Sequence, residues 1–470
     1  MTPSNALATR LARPQPTFAS SLLAILGGQA ACGVLAFSAE VSYARLLGPA
    51  ARGFLGLCVM SVALGTLVGG LGGEGTIVYF ASRSGKTHSS WLPAVLAWGG
   101  LGCAVASVLW ALAYWQFRLP FLRGISSASA RVVLLSIPAA VLFAYTMALA
   151  SGTEQFRLRS ACAVLRQAVG LLSFFPFFLL LGRTTDTALW GNFAGLAVGS
   201  LAGLWLLRRN IAKVWRVAGA LRNLKPTLSY GLRGQAGNLP TFFAYRLDVF
   251  IINYFLDPAQ LGFYALGVVV SEALWQIPYA VASALFPRTA RTLEQDASQF
   301  TCFVLRQILV ITCLCGIAIA ALSPFLIPLV FGARFKPAVP VIWWILPGTI
   351  ALSLGKVACA DLAGRGRIGY SSAFAFVCFV ITVVLDLLLI PRMGIQGAAL
   401  ASSISYFADA VLALAALRYE LRVSWTSLLV PTRTDFHAYR FSWLRLKSAL
   451  TLAPASQAGV DVAFSSPQGD

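Results

Sequence analysis

Between Arg233 and Asn253 a largely apolar stretch carries Arg233, Gln235, Asn238, Arg246, Asp248 and Asn253, with Pro240 near its middle. A helix in hydrocarbon does not tolerate that density of polar groups without partners. Each ionised side chain at mid-membrane costs about 2.5–3.5 kcal/mol even on a lenient insertion scale, so such groups face a polar interior, one another or a charged ligand. The chemistry within their reach is ion pairing and the binding of anions or cations. Arg246 and Asp248 lie about 200° apart around a helix and cannot share one narrow face. If Arg246 faces a cavity, Asp248 faces a neighbouring helix. The other ionisable groups at membrane depth are Glu40, Glu74, Arg166, Glu272, Lys356 and Asp409. Arg306, Asp361 and Asp386 fall near the ends of their apolar runs, where snorkelling towards the interface accounts for them.

Arg246 sits ten residues before a turn near residue 256, and Glu272 sits ten residues into the run that begins near 262. At 1.5 Å per residue both lie about 15 Å below the end of that hairpin, so the two can pair. Such a pair either locks two helices together or lines a cavity and exchanges partners with a charged substrate.

Catalytic, metal and cofactor signatures are absent by inspection. The two histidines, His88 and His437, lie outside the apolar runs, and the nine cysteines form no CxxC pair and read as small packing residues. Glu294 and Asp296 are the sole closely spaced acidic pair in a loop and read as a solvated face. Glycines 69, 70, 72, 73 and 75 around Glu74 suggest a phosphate loop, but no strand precedes them and the lysine is missing. Close helix packing or a flexible helix end explains them better.

The elements that must position these residues are helices. Apolar residues make up 58% of the 470-residue chain and charged residues 11%, against about 45–50% and about 25% in soluble proteins. The apolar residues fall into runs of about twenty, long enough to cross a bilayer core of about 30 Å. The spans expected are 18–46, 54–80, 91–116, 131–150, 160–182 and 188–208, then 227–256, 262–286, 301–331, 339–362, 371–390 and 396–418. The N-terminal run after Arg10 and Arg13 resembles a secretory signal, but it continues to about Leu47 and is read as the first span. The net charge of +20 would suit a nucleic-acid binder, yet the basic residues sit between the runs. With the N-terminus in the cytoplasm, 22 basic residues fall on the inner side, nine on the outer and five within spans. That asymmetry orients the chain with both termini cytoplasmic and leaves nucleic acid out as a partner.

The two ends of the polar stretch recur near the N-terminus. Gly28-Gln29-Ala30 matches Gly234-Gln235-Ala236, and Leu47-Gly48-Pro49-Ala50-x-x-Gly53-Phe54-x-x-Leu57 matches Leu256-Asp257-Pro258-Ala259-x-x-Gly262-Phe263-x-x-Leu266. An offset of 206 to 209 residues, nearly half the chain, marks a duplication. Six spans per half bring the second copy into the membrane in the same direction as the first, which relates the halves by a pseudo-twofold axis along the membrane normal. The expectation is an all-α polytopic membrane protein with about twelve transmembrane helices in two six-helix lobes around a central cavity. Its parts are an arm (1–17), an N-terminal lobe (18–208), a basic, amphipathic linker (209–226) suited to the anionic inner leaflet, a C-terminal lobe (227–418) and a tail (419–470) expected to be largely disordered.

These residues carry a resemblance. Leu47-Gly48-Pro49-x-x-Arg52-Gly53, Arg246-Leu247-Asp248 with Leu261-Gly262-Phe263-Tyr264-Ala265-Leu266, Leu285-Phe286-Pro287, and Ile390-Pro391-x-x-Gly394-Ile395-x-Gly397-Ala398-Ala399 together resemble the polysaccharide-repeat flippases of the Wzx type, over roughly residues 18–420. These belong to the multidrug/oligosaccharidyl-lipid/polysaccharide exporter superfamily. The resemblance implies a V-shaped pair of lobes that opens alternately to each side and carries a polyprenyl-diphosphate-linked oligosaccharide to the outer leaflet of a bacterial inner membrane. It implies no cofactor, and a polysaccharide polymerase and chain-length proteins as candidate partners. By analogy with that family's positively charged lumen, Arg246, Arg233, Arg166 and Lys356 are candidates for substrate contact, and Glu40, Asp248 and Glu272 for counter-ions or ion coupling. The competing readings are a multidrug or small-molecule exporter of the same superfamily, a flippase for the peptidoglycan precursor, and a membrane polysaccharide ligase or polymerase. The last would be expected to carry catalytic carboxylates on a large external loop, and the external loops hold only Asp186 and Asp257.

Overall fold

The computed structural model describes residues 18–83, 91–214, 220–289, 294–367 and 369–431. Among these residues there are helices and turns and no strand. The first half forms α1 (Phe18–Leu47), α2 (Pro49–Gly70), α3 (Gly73–Arg83), α4 (Trp91–Ala111, prolonged by a π-helical turn), α5 (Ser127–Gly152), α6 (Phe156–Leu181) and α7 (Thr185–Val214). The second forms α8 (Ala220–Phe255), α9 (Pro258–Glu272), α10 (Gln276–Thr289), α11 (Glu294–Phe331), α12 (Ala338–Gly364), α13 (Gly369–Met393), α14 (Ile395–Leu421) and the short α15 (Trp425–Leu429). Eleven stretches of the described residues are long and apolar enough to cross a membrane. The twelfth span expected, now α8, is 36 residues long and stays helical through Pro226 and Pro240; its polar residues, not its length, keep it below that apolarity. The protein is a multi-pass membrane protein.

Turn chemistry sets the helix boundaries. Gly48 takes a positive φ of 85° and Pro49 supplies the first turn of α2, so this helix begins before the expected residue 54 and takes in Arg52, which the sequence reading left in an external loop. Asp257 caps α9, its carboxylate accepting from the backbone N–H groups of Ala259 and Gln260 at 2.9 and 3.1 Å, with Pro258 at the first helical position. The expected second span is broken: Leu71 and Gly72 both take positive φ, ending α2 so that α3 starts afresh at Gly73. The run expected over 262–286 is likewise interrupted by a 3₁₀ turn at Ala273–Trp275. Part of the expected linker, residues 215–219, lies outside the described residues, as do the arm and the tail beyond 431; the remainder of the linker range extends α7 and begins α8.

The helices pack in two groups. α6 and α5 lie against α7, α1 against α6, and α2 and α3 against α5; in the second half α12 gathers α14, α10, α11 and α9, while α13 lies between α14 and α8. In lipid the gain comes from close van der Waals packing rather than from water release. One core cluster, with Leu305, Val357, Leu362 and Leu417, is closed off by Leu428 from α15.

The groups meet mainly where α2 crosses α9 and where α8 runs along α4, α3 and α2. The repeated motif makes the first crossing. A β-carbon on Gly53 would overlap the Pro258 carbonyl oxygen, and one on Gly262 would overlap that of Pro49. The contact is nearly self-complementary, as a pseudo-twofold axis through it requires. On the same face Asn253 donates through Nδ2 to the carbonyls of Phe121 (3.0 Å) and Arg123 (3.1 Å), and Arg45 donates to Val330 (2.7 Å) and Leu329. At the other end of α8, Gln235 donates to the Leu67 carbonyl at 2.5 Å and Trp98 Nε1 to Thr227 Oγ1 at 3.2 Å.

Candidate functional site

The second half holds most of the charged interior. Arg246 on α8 and Glu272 at the end of α9 form a bidentate ion pair, Nη1 to Oε1 at 2.8 Å and Nη2 to Oε2 at 2.7 Å. Their side chains keep 28% and 14% of their exposure. The two planar groups satisfy each other's charge, the strongest geometry available to such a pair, and the residual exposure leaves the guanidinium edge open to a further partner.

Asp248 points the other way, into a buried hydroxyl cluster. Its carboxylate accepts from the Val249 N–H at 2.7 Å, from the Tyr264 hydroxyl and, at 3.5 Å, from Ser402 Oγ. Asp386 on α13 is fully buried within electrostatic reach of Asp248, and neither of its oxygens has a hydrogen-bond partner among the described residues. Snorkelling therefore fails for Asp386: the face of α13 that carries it is covered by α8 and α14, so the side chain has no route to an interface. An uncompensated carboxyl beside a second one is costly unless a proton or a metal cation joins them.

One further expectation at a span end, for Asp361, is revised in the same way. Asp361 is fully buried, accepting from Thr301 Oγ1 at 2.8 Å and from Arg365 Nε at 2.6 Å, because α11 covers that turn of α12. Arg306 donates to the Ser427 carbonyl at 2.6 Å, which ties α15 to α11.

Lys356 on α12 sits among rings. Its Nζ lies 4.4 Å from the centre of the Trp275 ring, 4.8 Å from Tyr279 and 5.1 Å from Tyr245, and it donates to Tyr279 Oη at 3.2 Å. Among the described residues no carboxylate lies within ion-pair distance of it, although Asp409 on α14 is a near electrostatic neighbour. Arg166 and Glu40 belong to the first half. Arg166 lies 5.2 Å over the Phe143 ring and lines a small cavity with Tyr43, Gln167 and Asn192. Glu40 accepts from Arg52 Nε at 2.7 Å. Arg233 is exposed on α8 beside Lys225 and Ser229, on a face roughly opposite Arg246.

Three of the candidates, Arg246, Glu272 and Asp248, are thus brought to one region, with Lys356 in the same helix group; Arg166, Glu40 and Arg233 lie apart. Sequence reasoning missed Arg52, Asp386, Tyr264, Ser402 and the aromatic trio. A signal existed for two of the three rings: Trp275 and Tyr279 follow Glu272 at i+3 and i+7, one helical face.

Comparison with known proteins gives a consistent picture. A family model described as "Polysaccharide biosynthesis protein" matches residues 43–340. The "Probable low-salt glycan biosynthesis flippase Agl15" of Haloferax volcanii is 24% identical over 243 residues, half of this chain and half of that protein; the chain thus matches about half the length of this curated relative. Among solved structures, the lipid II flippase MurJ in an inward closed conformation superposes with a TM-score of 0.64 at 14% identity, covering 92% of this chain and 93% of that one. An inward-facing multidrug resistance MATE family transporter of the MOP superfamily gives 0.62 at 13% identity, covering 83% and 94%. At these identities the structural likeness is one of fold.

Proposed function

Because the chain belongs to the polysaccharide biosynthesis protein family, we propose that it is a flippase that carries a polyprenyl-diphosphate-linked oligosaccharide from the cytoplasmic to the outer leaflet of a bacterial inner membrane, both termini being cytoplasmic. The observation that supports this reading is the partly exposed Arg246–Glu272 pair, about 15 Å from the end of its hairpin, inside a helix group that meets the first-half helices near both ends of α8. A diphosphate and several sugars cannot enter hydrocarbon; a charged interior replaces their hydration while the lipid tail stays in the bilayer. In the proposed orientation the α2–α9 crossing lies at the outer face and the Gln235–Leu67 and Trp98–Thr227 contacts lie towards the inner one, so that alternating access parts Gly53 from Gly262 on one side and these contacts on the other.

Coupling is assigned to Asp248 and Asp386. A cation or proton bound between the two carboxyls relieves their repulsion and draws α8, α13 and α14 together, whereas the empty pair favours their separation. Arg246, Lys356 and Arg166 offer positive charge to the cargo; Glu272 and Glu40 hold Arg246 and Arg52 in place until it arrives. Arg233, on its exposed face, is placed to meet phosphate at the inner leaflet. A polysaccharide polymerase and chain-length proteins would act on the delivered units.

The test is the leaflet distribution of lipid-linked repeat units in cells lacking the protein, complemented with wild type or R246A. Accumulation on the cytoplasmic leaflet, relieved by wild type and not by well-folded R246A, is the expected result. Units that reach the outer leaflet and accumulate there unpolymerised would defeat the reading.

A further inference from the structure

One face of α14 is apolar for the depth of a leaflet and then turns cationic. Ile404, Phe407, Val411 and Ala415 are exposed and fall within about 80° of one another around the helix. From Ile404 to Ala415 the stripe runs about 16 Å, half of a bilayer core of about 30 Å. Arg418 and Arg422 continue the same face. Ser402 and Tyr406, the buried residues nearest the charged interior, lie on the opposite side of the helix.

The cationic end opens into a cleft of about 790 Å³ between the turn after α12 and the end of α14, lined by Arg367, Arg418, Tyr419, Glu420, Arg422 and Val423. The Glu420 carboxylate is engaged by Arg367 Nε at 3.0 Å. Arg418 and Arg422 have no acidic partner among the described residues. Arg418 is held in place without being neutralised: its Nε donates to the Val423 carbonyl at 3.3 Å, and its guanidinium lies 5.3 Å from the centre of the Trp425 ring. Arg422 closes α14 in the left-handed region, at a φ of 53°. Glycine fills that position more easily, so the turn itself does not call for an arginine. Tyr419 is 78% exposed and Trp425 39%, and such rings settle at the boundary between hydrocarbon and water.

We propose that this cleft binds an anionic phospholipid of the bilayer, its phosphate held by Arg418 and Arg422 and one acyl chain lying along Ile404, Phe407, Val411 and Ala415. In the proposed orientation the lipid belongs to the inner leaflet, where basic pockets at helix ends collect anionic headgroups. Charge selects it over a zwitterionic lipid, because three guanidiniums face one carboxylate across the cleft. The apolar stripe selects it over soluble phosphate, which would gain nothing from that face. The lipid is a resident of the bilayer and not the cargo, which meets the other side of α14.

The experiment is native mass spectrometry of the full chain in a neutral detergent, titrated separately with dioleoylphosphatidylglycerol, dioleoylphosphatidylcholine and glycerol phosphate. Wild type is expected to take up phosphatidylglycerol at least tenfold more tightly than phosphatidylcholine, and glycerol phosphate hardly at all. Arg418→Gln with Arg422→Gln should weaken phosphatidylglycerol about tenfold, the size of a lost charge-assisted contact, and leave phosphatidylcholine unchanged. Arg422→Gln alone, which spares the Arg418–Trp425 contact, should shift the affinity in the same direction and serves if the double variant does not fold. Arg392→Gln, an exposed arginine at the other end of α13, should have no effect. Equal affinity for the two lipids, or phosphatidylglycerol bound as tightly by both cleft variants as by wild type, would overturn the site. Glycerol phosphate bound as tightly as phosphatidylglycerol would overturn its assignment to a lipid.

Discussion

Gly53 and Gly262 face each other where α2 crosses α9, each so near the other's helix that a β-carbon would overlap a proline-residue carbonyl. They occupy corresponding positions in the two copies of the sequence repeat. Gly262→Val should therefore hold the two helix groups apart on that face. Overpacking of this kind costs about 1–3 kcal/mol. In a cysteine-free background, a cysteine at Asn253 should react with a membrane-impermeant maleimide faster in Gly262→Val than in the parent; equal rates would mean that the crossing does not control access.

The Arg246–Glu272 pair separates locking from binding. Removing either partner alone leaves a buried charge and should cost about 3–5 kcal/mol, whereas Arg246→Met with Glu272→Met should cost far less than the sum of the two. Thermal unfolding in detergent measures the first quantity and transport the second. Full transport by the stable double variant would make the pair a lock and nothing more.

Asp386→Asn removes a carboxyl that has no hydrogen-bond partner among the described residues and so should leave stability unchanged or slightly higher. The same change should abolish the dependence of melting temperature and transport on sodium concentration or on pH. Asp248→Asn should act alike, with an added loss of stability through Tyr264 and Ser402. A wild-type cation response in Asp386→Asn would remove the coupling role.

Asp361 offers a contrast. Its bonds to Thr301 and Arg365 fasten α12 to α11 far from the charged interior, so Asp361→Ala should cost about 3–5 kcal/mol while transport per folded molecule stays at the wild-type level. Reduced transport with unchanged stability would place Asp361 in the transport machinery instead.

Some of this was determined by the sequence alone. Apolar runs of membrane length leave the backbone no option but helix, since every peptide group must be satisfied within its own segment, and the duplicated motif carries the crossing glycines at one offset. The bidentate pair was legible as well, because residues at equal distance from a tight hairpin turn lie at equal depth. The tertiary structure decided what depends on rotation and on neighbours distant in sequence. Asp386 lies close to its helix end, and nothing in its own segment tells that α8 and α14 wall it in beside Asp248. Arg52 looked like a loop residue until Gly48 and Pro49 started α2 early and turned it onto Glu40. Lys356 gained its meaning from three rings on α8, the 3₁₀ turn and α10. A hydropathy pattern fixes how deep a residue lies along its own helix; only the packing of helices around one another fixes what it meets there.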